Sequence, residues 1–401
     1  MKPIKSLINA DEAFELMMNS IKVIEDKEKV RISEAHKRIL AKNIKAPFDV
    51  PSFRRSAMDG YAVKAEDTFG AGVHSPKTFK VIGEIFAGDS KNIKVKEREC
   101  VKIATGAMVP DSCDAVVMVE NTEEKEDMVL IYKPVYPMEN ISKIGEDIKK
   151  GEIVLKKGML IDPSKLGALA AMGFKDVTVI RKPVVGIIST GNEVVPLGGE
   201  LIQGKIYDIN TYTLKAIVES NFCNAVTYGI VRDEKESLKK IIDTAMENDL
   251  IVFSGGSSVG ERDMMLDILG KSILFHGVRV RPGKPMIFAV YQGKNIIGLP
   301  GYPASCLTNA YVFLAPMLRK LAGAPKRERQ IIKAKMAHRV HSVLGRREFL
   351  TVRIENGYAY SVYKESSAIT SLAKAIGFII IDENTDLVER DEEVDVELFS
   401  W

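Results

Sequence analysis

The chain has 401 residues, 46% apolar and 28% charged, with a formal net charge of +3. Such a length exceeds what one core holds, so two to four globular domains are expected, and so small a charge excludes a general nucleic-acid binder. Cys100, Cys113, Cys223 and Cys306 form no C-x-x-C pair, which speaks against a zinc site or disulfide framework and for a reduced compartment. No apolar run approaches the ~18 residues that span a bilayer. Asp11, Glu12 and Glu15 argue against a signal peptide. The expectation is a cytoplasmic protein with neither a membrane nor a nucleic-acid partner.

Residues 9–25 read as an amphipathic helix, with Ala13, Leu16, Met17, Ile21 and Ile24 at helical spacing and Asn9 and Glu12 forming a capping box. Residues 30–42 continue a helical or mixed pattern until Pro47 and Pro51 stop it. Short β-rich runs then follow at 79–85, 100–104, 115–120 and 128–132, separated by charged or Gly/Pro turns. A helix returns after Asp162, which caps it with Pro163 at the first helical position and Gly173 at the stop. Helical stretches on either side of a β-rich stretch suggest a domain inserted into a discontinuous parent.

From Pro183 strands and helices alternate. Strands are expected at 184–188, 225–231, 250–253, 286–290 and 295–299, and helices at 210–219, 235–246, 263–269 and 304–321. Such alternation implies a three-layer α/β sheet whose ligands gather at the carboxyl ends of its strands. After Pro325 the chain is β-rich again, and Asn356-Gly357 between 347–355 and 358–363 signals a type I′ hairpin.

The most informative stretch is Leu250–Asp263, an apolar strand running into Ser254-Gly255-Gly256-Ser257-Ser258-Val259-Gly260 and then Glu261 and Asp263. Glycines let backbone amides approach an anion closely, and a helix start beyond them favours negative charge. Strand ends at Glu193, Asp233 and Asp263 bring three carboxylates to one rim, the hard-oxygen chemistry that suits Mg²⁺. Arg279, Arg281 and Lys284 in GVRVRPGKP form a cationic loop suited to an oxyanion. Pro300 and Pro303 in GLPGYPAS fix a rigid loop before a helix. Gly256–Gly260 also satisfies the G-x-S-x-G pattern of a serine hydrolase, with Ser257 as nucleophile. The neighbouring loops, however, present carboxylates and no HGGG-type oxyanion motif. No GxxxxGK[ST] occurs.

Seven motifs stand in one order: SAMDGYAV (56–63), ATGAMVP (104–110), GEDI (145–148), STGNEV (189–194), SGGSSVGERD (254–263), RPGKP (281–285) and GLPGYPAS (298–305). In this the chain resembles the molybdopterin molybdenumtransferases, the MoeA proteins and the E domain of gephyrin. The resemblance implies a multidomain α+β and α/β fold: a discontinuous helical domain I (1–45 and 142–180), a β-rich inserted domain II (46–141), a three-layer MogA-like α/β domain III (181–326) and a β-barrel-like domain IV (327–401). It implies insertion of molybdate, or near-isosteric tungstate, into the dithiolene of adenylylated molybdopterin, with release of AMP and a requirement for Mg²⁺. It further implies a homodimer whose active site lies between subunits, and a molybdopterin adenylyltransferase as upstream partner. By motif, Asp59, Thr105, Glu193, Asp233 and Asp263 are its catalytic residues, the last three also holding the metal. Asp147, Gly255, Gly256, Ser257, Ser258, Arg281, Lys284, Pro300, Pro303 and Ser366 bind substrate. Arg281 stands where many relatives have lysine, and Tyr302 where asparagine is frequent. A scaffold role for domain IV without catalysis is the rival of a different class, disfavoured because Asp59, Thr105, Glu193, Asp233 and Asp263 are all retained.

Overall fold

The computed structural model describes residues 7–255 and 264–399. Its helix Ala10–Ser20 is capped by Asn9, whose side chain accepts from the Asp11 N–H. Ala10, Ala13, Met17 and Ile21 are buried in the core of the α/β unit beside Leu318 and Leu321, and Ile39 from the 30–45 stretch joins the same core. An apolar stripe carries no address: it packs on whichever face closes best, and that face lies about 300 residues downstream.

The expected helical pattern at 30–42 is absent. Lys27–Arg31 is a strand pairing antiparallel with Asp176–Ile180, a three-residue 3₁₀ turn follows, and Ile44–Lys45 pairs with Ile153–Leu155. The two flanks of the inserted β-unit thus form a mixed body holding one nine-residue helix, Pro163–Ala171, capped by Asp162, around Leu40, Ile161, Leu169 and Val179. Its strands form because their partners lie more than 100 positions away, which local periodicity does not reveal.

Between the flanks lies a six-stranded sheet in the order Ala115–Met118, Gly60–Val63, Glu99–Ile103, Lys77–Ile85, Met128–Ile131, Thr122–Lys125. Gly60–Val63, which is not among the expected β-rich runs, is an inner strand buried at every position. Gly60 is required there because a Cβ would lie 1.8 Å from the Val117 carbonyl oxygen.

The α/β sheet runs Asn224–Val231, Val184–Thr190, Leu250–Ser254, Lys294–Leu299, Ile287–Tyr291, Ile273–His276, with the first four strands parallel. Helices Asn210–Ser220 and Pro303–Asn309 cover one face, Lys235–Ala245 and Met264–Leu269 the other. The parallel strands are apolar runs because both faces are covered. The helix expected at 304–321 is interrupted: Ala310–Leu314 is a π-helical turn between Pro303–Asn309 and Ala315–Leu321.

At the C-terminus, strands Arg347–Glu355, Tyr358–Ser361, Ile331–Met336, Glu393–Leu398 and Gly377–Ile381 pair in that order. The last returns to pair with the first, closing a five-stranded barrel. Asn356 and Gly357 both have positive φ, 50° and 79°, as a type I′ turn requires. Val280–Arg281 pairs in parallel with Arg347–Glu348 and ties the barrel to the α/β unit.

Candidate active site

Thr190 ends the strand Val184–Thr190, and its hydroxyl donates to the Ser254 carbonyl at 3.4 Å. Gly255 follows at φ +91°, pressed so tightly on that strand end that a Cβ would sit 2.4 Å from the Thr190 carbonyl oxygen. The Gly255 N–H donates to the Leu299 carbonyl at 3.1 Å. Gly301 packs behind it, where a Cβ would lie 3.5 Å from the Gly255 Cα. The first glycine of the loop and the PGYP turn are therefore joined at one strand edge. Gly256, Ser257, Ser258 and Asp263 lie outside the described residues.

The next strand end arrives through Asp233, whose N–H donates to the Asn192 side-chain oxygen at 3.4 Å. Burial pushes the Asp233 carboxyl above the ordinary aspartate range, and the negative charge of Glu193 adds to this. Hydrogen bonds from the Asn192 backbone and the Thr190 side chain pull the other way. The charge of Glu193 opposes ionisation of Asp233, a repulsion that a cation would relieve, and hard carboxylate oxygens fit Mg²⁺. Among the described residues no group of three His, Cys, Asp or Glu side chains is gathered for a metal; Glu193 and Asp233 could offer two oxygen ligands.

Arg281 and Lys284 flank the turn at Pro282-Gly283. The Arg281 guanidinium donates to Glu348 at 3.3 Å and lies 5.8 Å over the Tyr363 ring. Glu348, 2% exposed, also accepts from the Ser342 hydroxyl at 2.7 Å. The barrel thus orients a cation carried by the α/β unit. Lys284 is half-buried, and its carbonyl accepts from the Val278 and Met286 N–H groups. Gly283 has φ +100°, and its carbonyl accepts from the Asn309 amide at 2.8 Å. Pro300 is buried, Pro303 is the first helical residue, and the Ser366 carbonyl accepts from the Ala304 N–H at 3.0 Å. Ser366 is hence joined by a backbone bond to the start of the helix Pro303–Asn309, and Gly283 by the Asn309 side chain to its end.

Asp59 and Thr105 stand on the six-stranded β-sheet instead. The Asp59 carboxylate accepts from the Thr105 N–H at 2.7 Å and from its hydroxyl at 3.0 Å, the backbone bond first and the hydroxyl second holding it below the ordinary range although it is exposed. Asp147 is exposed on a turn whose N–H donates to the Val50 carbonyl at 3.1 Å. The motif residues therefore fall into two groups on separate sheets. Asn210, Asn309, Glu348 and Ser342 went unnoticed in the sequence; each is an ordinary polar residue whose partner is remote along the chain.

Three family models match the chain: the "MoeA N-terminal region (domain I and II)" over residues 8–173, the "Probable molybdopterin binding domain" over 186–320 and the "MoeA C-terminal region (domain IV)" over 333–399. A protein of Methanocaldococcus jannaschii named for molybdopterin biosynthesis is 38% identical, the alignment covering 99% of this chain and all of that one. A molybdopterin molybdenumtransferase of Haemophilus influenzae is 33% identical over 98% of this chain and 99% of its own. Two crystal structures of molybdopterin biosynthesis MoeA proteins from Pyrococcus horikoshii superpose with TM-scores of 0.85 and 0.84, at 40% and 35% identity, covering 99% and 98% of this chain and all of theirs.

Proposed function

The chain belongs to the MoeA family of molybdopterin molybdenumtransferases, and from that premise we propose that it inserts molybdate into the dithiolene of adenylylated molybdopterin, releasing AMP. The observation that carries this reading is the Glu193–Asp233 carboxylate pair at the rim where Gly255 and the PGYP turn meet. A pyrophosphate-linked substrate needs backbone amides for its phosphates, carboxylates for a cation, and fixed positive charge for an incoming oxyanion. Gly255, Glu193 with Asp233, and Arg281 with Lys284 answer those three needs.

Glu193, Asp233 and, from the motif, Asp263 would hold Mg²⁺, which when bound neutralises pyrophosphate charge and eases cleavage of the phosphoanhydride. Arg281, braced by Glu348, and Lys284 would bind molybdate or tungstate and keep it from bulk water. Pro300 and Pro303 would shape the wall, with Ser366 at its edge. Asp59 and Thr105 lie on a separate sheet, which supports their completing the site from the partner subunit of a homodimer, with Asp147 nearby. A Thr105 hydroxyl held by Asp59 presents an oriented hydrogen-bonding group at low entropic cost. A molybdopterin adenylyltransferase would supply the substrate. No helix among the described residues is long and apolar enough to cross a membrane.

The test is release of AMP from adenylylated molybdopterin and Mg²⁺, with and without molybdate. Molybdate-dependent release with formation of active cofactor is expected, and tungstate in its place reports the metal preference. No release under either oxyanion sinks the reading.

A further inference from the structure

Two buried asparagines make the same contact beneath the loops at Gly283 and Gly301. The Asn309 amide donates to the Gly283 carbonyl and the Asn210 amide to the Gly301 carbonyl, each at 2.8 Å. Asn309 is fully buried and Asn210 nearly so. In each, the side-chain oxygen is buried without a partner among the described residues. An unbonded buried oxygen is costly, so the donor end of these amides is where their stabilisation lies. Asn309 also closes on its loop sterically: a Cβ on Gly283 would lie 2.3 Å from the Asn309 side-chain oxygen. The π-helical turn begins at the next residue, Ala310, a distortion frequent at functional sites because it re-aims side chains.

The consequence follows from peptide geometry. The Gly283–Lys284 and Gly301–Tyr302 bonds are not among the cis peptides, and in a trans peptide the carbonyl and N–H point in opposite directions. Drawing each glycine carbonyl inward turns the N–H of Lys284 and of Tyr302 outward. Neither N–H has an acceptor among the described residues. The two amides stand on different loops, one held from Asn309 at the end of the helix Pro303–Asn309 and the other preceding that helix.

We propose that Asn309 and Asn210 are positioning residues for anion capture: Asn309 presents the Lys284 amide to the oxyanion, and Asn210 presents the Tyr302 amide to the phosphate end of the substrate. The assignment of these two anions rests on the function proposed above; the presentation of two outward amides does not. Asparagine suits the task because its donor is neutral, so it holds a carbonyl without competing for the anion.

Two measurements test this. In the wild-type protein, hydrogen exchange resolved to single amides is followed without anion, with molybdate and with inorganic pyrophosphate. The Lys284 amide is expected to exchange fast and to slow about tenfold with molybdate, and the Tyr302 amide to do so with pyrophosphate. Protection of either amide before any anion is added, or no protection after, overturns the proposal. The isosteric variants Asn309→Asp and Asn210→Asp then replace the donor by an acceptor. Asn309→Asp is expected to raise KM for molybdate about tenfold with kcat within about threefold, leaving KM for the adenylylated substrate unchanged, and Asn210→Asp the reverse. Equal loss of kcat in both with KM unmoved would make them merely structural. Anion protection without AMP release would retain these amides and refute the proposed reaction, whereas AMP release without protection would do the opposite.

Discussion

Gly255→Ala is the most demanding test of the site's geometry. Gly255 has φ +91°, where an L side chain costs about 1–2 kcal/mol. Its new Cβ would also meet the Thr190 carbonyl oxygen at 2.4 Å and the Thr190 hydroxyl at 2.7 Å. The carbonyl belongs to a buried strand and cannot swing away, so overpacking adds about 1–3 kcal/mol. The sum is about 2–5 kcal/mol. Gly204→Ala is the matched control, at φ +85° with nothing within 4 Å of its Cβ; it should lose only the conformational part. In an α/β unit of this size each kcal/mol lowers Tm by roughly 2–4 °C, so thermal melting followed by circular dichroism separates the two variants. AMP release at a temperature where Gly255→Ala is still folded should fall as well, because relief of the clash moves the glycine loop off Thr190. If the two variants melt together, contact with Thr190 is not what requires glycine at 255, and the close-approach argument is wrong.

Asp233→Asn should stabilise the metal-free protein at neutral pH, by a few tenths to about 1 kcal/mol at this half-exposed, solvent-screened position. The sign follows from a carboxyl whose pKa is raised on folding: its charge is a penalty that is complete above the folded value and disappears as pH falls below the unfolded one. Melting curves across pH should show the advantage over wild type fading in acid, together with a smaller Mg²⁺-induced rise in Tm; an equal Mg²⁺ response would remove Asp233 from the metal site. Thr105→Val should bring the Asp59 pKa part of the way back up, since the backbone N–H at 2.7 Å survives, as an NMR titration would read directly. Asp59 contributes its stability above the unfolded value and loses it as pH falls through the lowered folded one. Burial pushes the thiols of Cys100, Cys113 and Cys223 up to about 12 and that of Cys306 higher still; none should react with a thiol reagent near pH 8 until the protein is unfolded, and rapid labelling of any one would contradict its burial. Ser257→Ala should leave AMP release nearly unchanged, whereas complete loss would revive the hydrolase reading.

The alternation from 184 to 321 was legible in the sequence because parallel strands buried on both faces must be short apolar runs, and the helices that bury them must carry an amphipathic period. The hairpin at Asn356-Gly357 was legible because positive φ at two successive positions demands particular residues. What the chain did not disclose locally were features satisfied at long range. Lys27–Arg31 is a strand because Asp176–Ile180 supplies its hydrogen bonds, and Gly60–Val63 is one because strands on both sides enclose it. The helix Ala10–Ser20 declares its apolar stripe but not the α/β face it joins. The same division runs through the site. Residue types such as the carboxylates at 193 and 233, the glycine at 255 and the cations at 281 and 284 follow from the sequence, because anion and metal chemistry admits few alternatives. That Asp233 faces Glu193, that Glu348 braces Arg281 and that Asn210 and Asn309 turn two loops outward was decided only by tertiary structure, since each is a contact between segments that the sequence places far apart.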